Sequence, residues 1–181
     1  MTQETYQYIR CLYCTEGKET QVVRYFTEHS SFKAIHPKKV WPYFRDGGWM
    51  YRIGYLMRSY VFLYGDKAVP KKFLLNIPNV EAVLGYIDDE EGYLRGQDRA
   101  FAELLLEQNG LLNCLRGMPD GNRIEITDEF MRRFHATVVK VDKHKRAALV
   151  AFPLLENELR CWFGYTTPEF ERREQLRRDI G

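Results

Sequence analysis

Past Gly110 the apolar residues of this chain change their spacing, and that change constrains the fold more than any other feature. Up to that point short apolar strands alternate with segments whose apolar residues recur every three or four positions. Beyond the stretch from Asn113 to Gly117 the period falls to two, in Ile124 and Ile126, Val139 and Val141, Leu149 and Ala151, then Leu159, Cys161 and Phe163. A period of 3.6 marks one face of a helix and a period of two one face of a strand. The expected chain is therefore α+β in two parts: one sandwich of strands and helices, then four short strands without a helix, forming a small β-barrel.

In the first part, residues 7–14 form a strand, and Val22, Val23 and Phe26 form the apolar face of a helix. Residues Lys39 to Phe44 and Trp49 to Ile53 flank Arg45-Asp46-Gly47-Gly48, where Asp-Gly supplies the positive φ angles of a tight hairpin. A strand over 59–64 follows. Pro70 then opens a short helix carrying Phe73, Leu74 and Ile77, because its missing N–H would have no helical partner there. A strand over 82–86 and a helix from Gln97 to Gln108 complete this part, with Asn109-Gly110 as the stop. The predicted division is 1–110, a linker at 111–117, the barrel at 118–170 and a charged tail at 171–181. The tail, in which Arg172, Arg173, Arg177 and Arg178 alternate with acids, reads as solvated helix.

The formal net charge is only +2, so a nucleic-acid surface has to come from clustering. The densest cluster lies between Met131 and Arg146, where Arg132, Arg133, Lys140, Lys143, Lys145 and Arg146, with His135 and His144, face the single carboxylate Asp142. Contact with RNA phosphates is one reading, and a solvated barrel edge guarded by lysine is the other. Lys38, Lys39, Arg45 and Arg52 are interleaved with Trp41, Trp49 and Tyr51 around the first hairpin, a pattern suited to stacking and phosphate pairing and equally to a structural hairpin.

Catalytic or metal chemistry finds no foothold. Cys11, Cys14, Cys114 and Cys161 are read as reduced structural cysteines, since residues three apart in a strand point to opposite faces and Cys11-x-x-Cys14 makes a poor chelate. His29, His36 and His135 lack spaced partners and are read as structural. The longest apolar stretch, AALVAFPLL, is interrupted by Pro153 and is far shorter than the roughly 18 residues of a membrane span, so a cytoplasmic protein without enzymatic activity, cofactor or metal is expected.

Several motifs together resemble the NusG family of transcription factors. Pro37, Asp46-Gly47-Gly48 and Met57-Arg58-Ser59-Tyr60-Val61-Phe62-Leu63 match the order and spacing of a proline-led strand, a glycine turn and a Phe-Pro-Gly-Tyr-Val-Leu-Val-like strand in that family. Ile77-Pro78-Asn79-Val80-Glu81-Ala82-Val83-Leu84-Gly85 resembles its Thr-Pro-Gly-Val-x-x-Phe-Val-Gly segment, and Thr15 to Glu19 resembles the turn into its first helix. Gly121 to Ile126 and Val141 to Arg146 resemble the opening strand and the basic turn of the KOW domain, the latter most like the specialised LoaP-type paralogs.

The resemblance implies an NGN α/β sandwich followed by a KOW-type, SH3-like barrel. It implies binding to the clamp helices of the largest RNA polymerase subunit through Met57, Tyr60, Phe62 and Val83, although spacing alone favours these residues filling the core. It further implies antitermination on particular operons, recruitment by a leader RNA hairpin through the basic turn, and contact of the first hairpin with upstream non-template DNA. The alternative is a free-standing KOW-type RNA-binding protein associated with the ribosome. Two departures stand out: Arg58-Ser59 replaces the family's Pro-Gly, and Ala136 stands near the place of the KOW glycine. They point to a specialised paralog and weaken the transfer of contacts to ribosomal protein or termination factor.

Overall fold

A computed structural model describes residues 5–171. In chain order its elements are β1 (Tyr8–Cys14), α1 (Glu19–His29), β2 (Lys33–Ile35), β3 (Lys38–Arg45), β4 (Gly48–Tyr55), β5 (Tyr60–Gly65), α2 (Lys71–Leu75), β6 (Val80–Leu84), α3 (Gly96–Glu107), β7 (Leu111–Leu112), β8 (Leu115–Asp120), β9 (Arg123–Ile126), α4 (Glu129–Arg133), β10 (Thr137–Asp142), β11 (Ala147–Leu154) and β12 (Asn157–Thr166). The mixed α+β class expected from the two periodicities is what this order shows. Residues 172–181, on which the charged-tail expectation mostly falls, lie outside the described residues.

Contacts divide the chain into two compact units. The first contains the described residues up to Lys38, Tyr55–Leu112 and Leu154–Asn157; the second contains Lys39–Gly54, Asn113–Pro153 and the described residues from Glu158. The first hairpin thus groups with the later strands, a partition that hydrophobic period cannot disclose.

The first unit is built on the sheet β2-β5-β1-β6. β1 runs antiparallel to β5, with Ile9 opposite Tyr64, Cys11 opposite Phe62 and Tyr13 opposite Tyr60. Side chains alternate between faces, so Leu12, Cys14, Val61, Leu63 and Val83 meet Val22 and Phe26 of α1 and Leu74 of α2 in one core. The opposite face meets α3: Phe62 lies edge-on to Phe101 at 5.8 Å and the Tyr64 hydroxyl donates to the Ala102 carbonyl at 2.7 Å. Burying such rings stabilises the unit by roughly 2 kcal/mol each. Cys11 and Cys14 are buried within the strand, where desolvation raises both thiols, Cys14 to about 12.

The second unit holds the sheet β10-β11-β12-β8-β9. Two of its elements depart from expectation. Residues 115–120, of which 115–117 were expected as linker, form β8: Leu115 and Gly117 are buried and Arg116 is exposed, a period of two too short to stand out. It pairs antiparallel with β9 and parallel with the end of β12. Further, the predicted absence of a helix is overturned by α4. Asp128 caps it, accepting the Phe130 N–H at 2.9 Å, and Phe130 and Phe134 sit one turn apart on its buried side. Phe130 meets Phe152 at 5.3 Å and Phe163 at 5.2 Å, so the helix supplies the centre of an aromatic core.

The β3–β4 hairpin turns where the sequence predicts. Asp46 has φ 51° and Gly47 φ 74°, the pair of positive angles that joins twisted antiparallel strands. Within the second unit it is held by close approach: a Cβ at Gly164 would lie 2.3 Å from Pro42 Cδ, and the Lys39 ammonium donates to the Trp162 carbonyl.

Candidate functional surfaces

Tyr60 opens β5 directly after a residue in an unusual conformation. Ser59 is buried with φ 66°, in the left-handed region that costs an L-residue with a side chain about 1–2 kcal/mol. The cost is offset locally: the Ser59 N–H donates to Glu19 Oε1 at 2.7 Å and its carbonyl accepts the Cys14 N–H at 2.7 Å. These bonds fix the angle at which β5 begins.

Of the four side chains expected at a docking surface, only Tyr60 is partly exposed. Met57, Phe62 and Val83 are buried in the first unit, Val83 in the core under α1 and Phe62 against Phe101 of α3. Tyr60 stands edge-on to Tyr13 at 5.6 Å, and the directly cross-paired position on β6 is the half-buried Ala82. The aromatic patch on this face therefore consists of Tyr13 and Tyr60. Tyr13 escaped the sequence reading because the pairing of β1 with β5 is a long-range fact.

The basic residues also separate. Lys143, His144 and Lys145 are exposed together in the turn between β10 and β11, where Asp142 Oδ1 accepts the Lys145 N–H at 3.0 Å. Lys140 is exposed on the outermost strand of its sheet, and Arg132 and Arg133 are exposed on α4 rather than on a barrel loop, Arg133 lying over Phe134 at 5.3 Å. Arg146 behaves differently. With φ 48° it turns back, and its guanidinium lies 4.0 Å from the centre of the Trp49 ring and over Phe170. A cation sandwiched between two rings is held for packing, not presented to a phosphate.

On the hairpin, Lys39 is likewise withdrawn. It reaches the Trp162 carbonyl and sits 4.8 Å from the Trp41 ring centre, and burial lowers its pKa from the ordinary 10.5. Arg45 is exposed and pairs with Asp46 at 3.2 Å, Arg52 lies 5.7 Å from the Tyr43 ring centre, and Lys38 is exposed. Alongside these cations the hairpin exposes Phe44, Met50, Tyr51 and Ile53. Among the described residues no helix is long and apolar enough to cross a membrane, and no group of three or more His, Cys, Asp or Glu is placed to hold a metal. Cys114 and Cys161 are raised to about 11 by burial, which leaves them as neutral thiols near pH 7.

His36, read as structural from the sequence, is buried. Its Nε2 lies 3.1 Å from the Met57 carbonyl and its ring stacks on Tyr55 at 4.7 Å. Neither Glu19 nor His36 carries a local sequence signal; they are brought to the neighbourhood of residues 57–59 by the packing of α1 and β2. No family model and no curated protein matches this chain.

Proposed function

We propose that the protein is a NusG-type transcription elongation and antitermination factor, with an NGN-like first part, a KOW-like second part and a place in the cytoplasm. The observation that carries the reading is Ser59. The family places a glycine before its docking tyrosine, and here the residue at that position adopts φ 66°, a glycine-like conformation, although it is serine. The motif's departure in residue type is thus compatible with the backbone the motif requires.

In this reading Tyr60, backed by Tyr13, docks on the clamp helices of the largest polymerase subunit, where a rigid aromatic gives large contact area at low entropic cost. Binding the closed clamp more tightly than the open one shifts polymerase away from paused and termination-prone states by population alone. No bond is made or broken. The exposed turn Lys143-His144-Lys145, with Lys140, meets RNA phosphates, and the hairpin cations Lys38, Arg45 and Arg52 lie against upstream DNA.

The test is retention of the full-length protein by core RNA polymerase. The wild type is expected to be retained, and Tyr60→Ala to weaken retention more than tenfold, as loss of a central aromatic costs about 2 kcal/mol. A mutant that folds and binds as well as the wild type removes Tyr60 as the docking residue. The exposed basic turn favours a second reading, a KOW-type RNA-binding protein working with the ribosome, in which RNA is bound and polymerase never retained.

A further inference from the structure

We infer that β4 is a self-association edge, pairing antiparallel with β4 of a second copy of this chain across a two-fold axis at Tyr51. β4 is the outermost strand of the sheet β4-β3-β7, and with eight residues it is the longest strand at any sheet edge among the described residues. It exposes Met50, Tyr51, Ile53 and Tyr55, and Arg52 is its only charged residue. An outermost strand that is long and apolar is a template for pairing with another chain.

The other edges carry features that prevent such pairing. β2 and β7 have three and two residues. β6 and β9 are short; the first exposes Glu81 and the second Arg123 and Glu125. β10 exposes Lys140, and its register against β11 shifts between Val138 and Lys140. Brevity, lysine and bulges all blunt an edge, and β4 is neither short nor guarded by lysine.

The hairpin geometry selects the register. The two-residue turn Asp46-Gly47 makes Arg45 and Gly48 the closing pair, which places Phe44 opposite Trp49 and Tyr43 opposite Met50. Contacts agree: the Phe44 and Trp49 rings lie 5.6 Å apart, and the Tyr43 hydroxyl donates to Met50 Sδ at 3.8 Å. Alternation then turns the backbone N–H and C=O groups of Trp49 and Ile53 away from β3, toward the outer edge. With the axis at Tyr51, Trp49 of one copy pairs with Ile53 of the other, and Arg52 meets Met50. An axis at Arg52 sets two guanidinium groups against each other, and an axis at Met50 leaves Ile53 opposite the turn. Charge and the apolar stripe are thus self-complementary in one arrangement, and a two-fold axis closes it at two copies. Pairing one strand per copy buries less than about 1,200 Å² in total, the size of a transient contact, so a dissociation constant on the order of 10–100 μM is expected.

The experiment is sedimentation velocity of the full-length protein at concentrations below and above that value. The weight-average mass is expected to rise from that of one chain toward that of two. Ile53→Lys places a charge in the stripe and is expected to keep the protein monomeric throughout, with unfolding unchanged because the side chain is exposed. Met50→Glu sets a carboxylate opposite Arg52 of the other copy at two symmetric positions and is expected to tighten association about fivefold. A wild-type protein that stays monomeric at every concentration overturns the proposal, as does an Ile53→Lys protein that associates like the wild type. Met50→Glu without tightening overturns the register. A monomer that binds single-stranded oligothymidine, and loses it on Phe44→Ala, gives the face to nucleic acid and overturns the proposal too. No polymerase enters the experiment, so its outcome is independent of the proposed docking by Tyr60.

Discussion

The backbone N–H of Ser59 donates to Glu19 Oε1 at 2.7 Å, with both residues buried and forty positions apart. This bond ties the first turn of α1 to the turn that launches β5, and the backbone angle of Ser59 follows from it.

Replacing Ser59 by glycine removes the left-handed penalty but adds unfolded-state entropy, so Ser59→Gly is expected to stabilise the protein by about 0.5–1 kcal/mol. Ser59→Val, β-branched at φ 66°, is expected to destabilise it. Urea unfolding measures both, and equal stability of the two variants would contradict the strain. Glu19→Ala strands the buried N–H and is expected to cost about 1–3 kcal/mol.

Stability should also depend on pH through this cluster. Burial alone would raise the Glu19 carboxyl, but N–H groups of Ser59, Glu19 and Gly17, with the charge of His36, hold it below its ordinary 4.5. Its stabilisation is therefore complete above 4.5 and lost as pH falls below that value. Burial lowers His36 from 6.5, so the unfolded chain takes that proton first and stability declines as pH drops through 6.5. Unfolding free energy measured from pH 8 to pH 4 should fall in both windows. His36→Gln should flatten the upper one, and a decline unchanged by that substitution would remove His36 as its source.

Arg146 and its neighbours in the basic turn should separate cleanly. Arg146→Ala loses its stacking against Trp49 and Phe170 and is expected to destabilise the protein by about 1–2 kcal/mol. Lys143→Gln and Lys145→Gln are expected to leave unfolding unchanged. On the proposed RNA contact, each lowers the slope of log affinity against log salt by about 0.7. Thermal unfolding and RNA binding over a salt series measure the two effects; an Arg146→Ala protein as stable as wild type would return that guanidinium to the RNA surface.

Tyr60 and Phe62 lie two residues apart on one face of β5, yet they should respond oppositely. Phe62→Ala opens a cavity against Phe101 and is expected to cost about 3–5 kcal/mol of stability. Tyr60→Ala is expected to cost less, with its main effect on polymerase retention. If calorimetry shows similar losses for both, Tyr60 is a core residue and the docking reading loses its anchor.

The sequence by itself determined what depends on near neighbours. Asp46-Gly47 required two positive φ angles and formed the hairpin, and Pro70 and Asn109-Gly110 bounded α2 and α3. α4 was missed: Asp128 followed by Phe130 and Phe134 carries a cap and a one-turn apolar spacing, but five residues are too few to impose a period. What only the tertiary structure decided is which faces remain open. Spacing placed Phe62 and Tyr60 together, but α3 covers the first while the second stays partly exposed. Charge placed Lys39 and Arg146 among the basic residues, whereas Trp162, Trp49 and Phe170, distant in sequence, withdrew them. The physical reason is the same throughout: backbone sterics and period two or 3.6 are local, while the cover over a side chain is supplied by segments that no local rule locates.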